Sequence, residues 1–166
     1  MQSSMCLSGL ALGGATLFAT TAIAGGLPKE GAFSVDDETR GSYQRGAAPT
    51  PGDAGSWYES GKIVGDGILK GMAWRCLAMP EIIEGTLRSH TGYCVGTAQD
   101  GDQVTFRIVV GLASNPDEKS EVSAYSTEGS GKYRGIVARY TATCILSGPK
   151  TGYTKNCNGQ GAYKLP

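Results

Sequence analysis

A chain of 166 residues with 15 basic side chains, 15 acidic ones and a net charge of zero has the size of one domain. The neutral, interspersed charge excludes the clustered Lys and Arg that nucleic-acid binding needs. One histidine and no Cys-x-x-Cys pair leave little from which to build a metal site.

Taken in chain order, residues 7–24 carry no charged side chain and end in Ala22-Ile23-Ala24. Small side chains at the first and third of those positions suit a signal peptidase, so the pattern predicts a leader at 1–24 cut after Ala24. No Lys or Arg precedes the run. The alternative is an uncleaved anchor, because about 18 residues is the lower edge of a bilayer span. Gly and Thr dilute the run, and the Ala-x-Ala ending favours cleavage. No later segment is apolar enough to span a membrane, so a periplasmic or secreted protein is expected.

Residues 25–55 are expected to hold a first strand, over 32–43, and a loop rich in Gly and Pro over 46–56. Residues 56–166 are expected to form the main domain. Its clearest strand is 102–110, where Val104, Phe106, Ile108 and Val110 share one face. A second runs from 135 to 146, with Ile136, Ala138, Tyr140, Ala142, Cys144 and Leu146 on one side and Arg139, Thr141 and Thr143 on the other. Less regular strands are expected at 62–75, 86–96, 120–127 and 161–165. Turn-forming residues separate them, and no stretch of 11 residues carries a helical stripe.

Short strands separated by turns indicate a sandwich or a barrel. Glycines inside strand-like runs, as at Gly65, Gly67, Gly71 and Gly135, suggest strong curvature. The fold expected is therefore all-β, a small antiparallel barrel.

Beyond Cys6 in the leader, four cysteines remain, Cys76, Cys94, Cys144 and Cys157, an even number in an exported chain. They allow three pairings. A hairpin of 136–146 with 154–165, centred between Lys150 and Thr151, sets Cys144 opposite Cys157, and Cys76 and Cys94 are symmetric about Gly85. Disulfides Cys76–Cys94 and Cys144–Cys157 are expected.

The run Gly129-Ser130-Gly131-Lys132-Tyr133-Arg134-Gly135-Ile136 resembles the Gly-x-Gly-Lys-[Phe/Tyr]-x-Gly segment of allene oxide cyclase-like and dirigent-like barrels. Gly92-Tyr93-Cys94-Val95, Asp100-Gly101-Asp102 and Gly161-Ala162-Tyr163-Lys164-Leu165 extend the likeness over about 56–166, to exported bacterial proteins of unknown function. The resemblance implies a calycin-like antiparallel barrel with an interior cavity, acting without metal or organic cofactor. It transfers no catalytic residue, and a fold does not fix a function.

Other motifs read as structure. The Gly129–Gly135 run lacks the spacing of a phosphate loop, and Asp100-Gly101-Asp102 is a turn before it is a calcium site. Ser89 and His90 point to opposite faces of a strand, so no nucleophile–base pair is expected there. Asp36-Asp37-Glu38 reads as a solvated turn or edge strand. The aromatics Trp57, Tyr58, Trp74, Tyr93, Phe106, Tyr140 and Tyr163 are first of all core. A polar group beside an inward aromatic would mark a pocket, which singles out Trp74, Arg75, Arg139 and Tyr140 as candidate ligand-binding residues. No catalytic residue, metal or cofactor is expected. The leading expectation is an exported non-enzymatic barrel that binds a small apolar molecule or an envelope protein. The alternatives are a cofactor-free cyclase or isomerase of a hydrophobic substrate, and a periplasmic enzyme inhibitor offering a loop, 76–94 or 112–119, to a partner's cleft.

Overall fold

In a computed structural model of the chain, the described residues are 27–45, 55–84, 86–111, 119–149 and 152–166. The leader at 1–24, most of the 46–56 loop and nearly all of the 112–119 loop lie outside them. The alternating residues form eight strands: β1 (Glu30–Arg45), β2 (Gly55–Ile63), β3 (Ala73–Ile83), β4 (Thr86–Thr97), β5 (Gln103–Gly111), β6 (Ser120–Gly129), β7 (Val137–Ser147) and β8 (Tyr153–Lys164). Each pairs antiparallel with the next, and β8 pairs with β1, so the sheet closes into an up-and-down barrel.

Closure requires staggered strands, and β1 shows the stagger directly. Its residues 30–41 pair with β8 and its residues 37–45 with β2. Residues 37–41 are therefore hydrogen-bonded to neighbours on both edges.

Period-two alternation sends one side chain in every two into the lumen. Val104, Phe106 and Ile108 of β5 face in, as do Ala138, Tyr140, Ala142 and Cys144 of β7. Phe106 lies at the centre, its ring 5.8 Å from that of Trp74 and 5.4 Å from that of Tyr140. At the end where β2 turns into β3, Ile68, Leu69 and Met72 plug the lumen beside Tyr133 and Leu165. The Tyr133 hydroxyl reaches the Ile68 carbonyl at 3.4 Å.

Both disulfides have the expected partners, Cys76–Cys94 and Cys144–Cys157. Each joins residues directly opposite one another on adjacent strands, with the sulfurs inside the barrel. Residues 76–94, weighed as a protruding loop, form the β3–β4 hairpin and so belong mainly to the wall.

The 62–75 strand is two strand ends with a turn between them. Gly65, Gly67 and Gly71 lie in that turn, and Gly135 in the turn before β7, where Gly67, Gly71 and Gly135 have positive φ. Curvature falls to other glycines. At Gly161 a methyl group would overlap the Phe33 ring and the Arg139 carbonyl, so only hydrogen lets the wall approach its core there. The turn at Asp100–Asp102 is structural: the Asp102 carboxylate accepts from the Lys132 backbone N–H at 2.9 Å, and Asp100 pairs with the Lys132 ammonium.

The Cys144–Cys157 bridge spans 13 residues, a loop for which a cross-link contributes about 3 kcal/mol through the unfolded chain. A Cys144→Ser/Cys157→Ser double variant is expected to lose about that much in denaturant titration while keeping its β-sheet circular dichroism.

Candidate functional site

The lumen is not wholly apolar. Glu59 of β2, Asp37 and Thr39 of β1, and Tyr153 and Lys155 of β8 all turn inward near one another. Glu59 is 1% exposed, and Asp37 and Lys155 are 7% exposed. Strand parity places them there: Glu59 follows Trp57 by two residues, Asp37 follows Val35, and Lys155 precedes Cys157.

Glu59 is the hub. One carboxylate oxygen accepts from the Tyr153 hydroxyl at 2.9 Å, and the other pairs with the Lys155 ammonium. Gly41 pairs with both Glu59 and Tyr153, and a methyl there would overlap the Tyr153 ring and the Glu59 side chain. Its missing side chain is the gap across which the two meet. The Lys155 ammonium also lies 4.7 Å from the centre of the Trp57 ring, a cation–π contact strengthened by exclusion of water.

Asp37 sits apart from this pair. The Cys157 backbone supplies it one hydrogen bond, while its Oδ1 is buried without a partner. Burial, the largest cause, pushes its carboxyl up to about 6 against the partial attraction of Lys155, and the charge of Glu59 adds to the rise. Burial drives the Tyr140 hydroxyl well above the ordinary phenol range, with Asp37 and Glu59 contributing. The one histidine lies higher in the same lumen, between Pro80 and Val110 in register. Its ring is held below the usual range by burial, offset in part by a hydrogen bond to the Gly55 backbone, and Nε2 has no partner.

The space these groups share is small. Asp37, Lys155, Trp74, Tyr140 and both disulfides border a cavity of about 10 Å³, room for one water molecule. The arrangement can hold or release a proton, and the enclosed space beside it has no room for an organic substrate; Asp37 and Cys157 also border an open groove of about 590 Å³ with Asp36, Glu38, Asn156 and Asn158. Among the described residues no group of three His, Cys, Asp or Glu is placed to hold a metal ion.

The four candidate binding residues divide between two faces. Trp74 and Tyr140 are inside, both against Phe106 and both bordering the small cavity. Arg75 and Arg139 are exposed on the outer face, because neighbours along a strand point oppositely. The acidic triplet is likewise divided, and corrects the reading of a solvated turn or edge: Asp36 and Glu38 look outward from an internal stretch of β1 and Asp37 looks into the lumen. Lys155 and Tyr153 escape a search for charge beside aromatics in sequence, and Glu59, although it follows Tyr58, is not singled out there. Parity with Cys157 and Trp57 is the signal that would have found them.

The outer face holds a second pattern. Tyr58, Leu77, Tyr93, Arg107, Tyr125 and Arg139 are consecutive cross-strand partners from β2 to β7. The three tyrosines and Leu77 are each about half exposed, so Tyr58 and Tyr93, expected in the core, face outward because they fall on the opposite strand parity from Trp57 and Cys94. The Arg107 guanidinium lies 3.4 Å from the Tyr125 hydroxyl.

Two outcomes check the lumenal chemistry. Asp37 has a folded pKa near 6 against an ordinary 3.8, so the folded state holds its proton more tightly than the unfolded one. Its contribution to stability is complete below about pH 4, falls as pH rises to about 6 and is flat above, a change on the order of 2–3 kcal/mol. Chemical denaturation at stepped pH is expected to show this slope, and Asp37→Asn to remove it. Lys155→Met strands a buried carboxylate and is expected to cost about 3–5 kcal/mol, of which Glu59→Leu in the same chain restores a part.

Comparison of the chain with protein-family models, curated proteins and solved structures finds no match, so the functional reading rests on the residues and their geometry.

Proposed function

We propose that this is an exported, non-enzymatic β-barrel whose work is to bind a partner protein with its outer surface. The observation that carries the reading is that the described residues fill the lumen. A barrel that takes up an apolar ligand needs a pocket of at least about 300 Å³. The space enclosed between the two disulfides is about 10 Å³, and the opposite end is stoppered by Leu69, Met72 and Tyr133. Within the described lumen this favours the partner form of the expectation over the small-ligand form.

Export is part of the proposal. The disulfides fit an oxidising compartment, and among the described residues no helix is long and apolar enough to cross a membrane. Closure of the barrel also limits how a partner could be recognised. With β1 bonded to β8 there is no free strand edge for an added strand, so recognition falls to side chains.

One observation favours a second reading, cofactor-free acid–base catalysis as in a cyclase or isomerase. Asp37 is an inward carboxyl with a strongly raised pKa and an oxygen free to take a proton. That reading requires the lumen to open far enough to admit a substrate.

The readings separate in two measurements. Amine-reactive cross-linking of the tagged, exported chain in its own compartment is expected to give a discrete adduct with another protein. The apolar dye 1-N-phenylnaphthylamine is expected to gain no fluorescence from the native protein. A monomer that forms no adduct but binds the dye saturably would replace the partner reading with a lumenal one. Loss of that dye binding in Asp37→Asn would favour the acid–base version.

A further inference from the structure

The outer wall from β2 to β7 carries a charge distribution that the chain's zero net charge conceals. Three parallel rows of outward residues cross it. The middle row is Tyr58, Leu77, Tyr93, Arg107, Tyr125 and Arg139. The row towards the β3–β4 turn contains Met79, Thr91, Val109, Ser123 and Thr141. The row on the other side contains Ser60, Arg75, Val95, Thr105 and, at its far corner, Glu128. Apart from that corner residue, the three rows hold three arginines and no carboxylate.

On a solvated sheet a cation is ordinarily set across from an anion on the next strand. Here Arg107 lies between Tyr93 and Tyr125, Arg139 beside Tyr125, and Arg75 between Ser60 and Val95. Among the described residues the ion pairs are Lys70–Asp66, Lys132–Asp100 and Lys155–Glu59, and none uses these arginines. Their planar donor forks are thus unspent on carboxylates among the described residues. Leu77 and Met79 are more than half exposed, and Tyr58, Tyr93 and Tyr125 nearly so or slightly more. Tyrosine, methionine and arginine with no Lys, and with Glu only at one corner, is the composition of interface centres, not of surfaces built for solubility.

Resting on the partner-binding reading above, we propose that this wall docks a protein whose matching surface presents clustered Asp or Glu side chains within an apolar patch. Arg107 and Arg139 are two strands apart, about 10 Å at ordinary strand spacing, with the Tyr125 ring between them. Carboxylates of similar separation can each take a bidentate guanidinium contact. Tyr93, Leu77 and Met79 then supply the water-excluding centre. The opposite wall gives contrast: β8 presents Asn156, Asn158 and Gln160, with Asp36 of β1 accepting from the Asn158 amide.

The test uses the full chain exported by its native host. A benzophenone-bearing phenylalanine is placed at Thr91, beside the patch, or at Gln160 on the opposite wall, and adducts formed under light are identified by mass. The expected result is a protein adduct at Thr91 that is absent at Gln160. Arg107→Glu/Arg139→Glu should lower its yield at least about tenfold, and reversing the charge of the identified partner's contacting Asp or Glu residues should restore it. Unchanged thermal midpoint and secreted level in the double variant establish that it folds. A protein adduct only at Gln160 overturns this face and leaves partner binding standing. Self-adducts, lipid adducts or no adduct at Thr91 overturn the acidic-partner assignment, and protein adducts at neither position overturn both readings.

Discussion

Hydrogen bonding between β1 and β8 turns a meander of eight strands into a closed barrel, and the remaining features depend on that seam. It fixes which side chains face the lumen, and it removes the strand edges through which an open sheet would pair with another chain. The stretch of β1 bonded on both sides, residues 37–41, is also the stretch that carries Asp37 and Thr39 inward. The Cys144–Cys157 bridge stands one strand pair from the seam, with Cys157 opposite Asp37. Covalent and hydrogen-bonded closure therefore meet beside the buried carboxyl.

Eight strands enclose a space that side chains can fill, and here they do. Trp74, Phe106 and Tyr140 meet at the centre, while the turn between β2 and β3 folds Leu69 and Met72 into one end. The polar groups at the other level are tolerated because Glu59 spends both oxygens, one on Tyr153 and one on Lys155. A buried ion pair gains little over well-packed apolar side chains of the same volume. Its consequence is a fixed geometry around Lys155, held by carboxylate and indole together. Asp37 shares that environment without a cation of its own, and its elevated pKa follows.

Inside and outside thus have opposite characters. Among the described residues the lumen is filled by side chains, with a cavity of about 10 Å³ beside Asp37 and its other charges largely paired. The middle of the wall from β2 to β7 is apolar and cationic, with Arg107 and Arg139 beside tyrosines. Recognition needs accessible, unsatisfied groups, and in this barrel the outer wall offers more of them than the lumen does.

The sequence by itself determined the class of fold and the disulfide partners. Alternation over 102–110 and 136–146 is a local property that survives into β5 and β7, and the symmetry of cysteines about a turn predicts a cross-strand bridge from register alone. Barrel curvature was legible too, although the glycines read for it, Gly65, Gly67, Gly71 and Gly135, serve turns, while Gly41 and Gly161 make the close approaches inside. Of the site, Trp74 and Tyr140 were placed inside by their hydrophobicity, whereas Arg75 and Arg139 were grouped with them by adjacency, which a strand reverses at every residue. Only the tertiary structure decided that Asp37, Glu59, Tyr153 and Lys155 converge, and that Tyr58, Tyr93, Arg107 and Tyr125 form one row. Both sets lie on strands distant in the chain, and their meeting depends on inter-strand register, which is set by backbone pairing around the closed sheet and not by any local pattern.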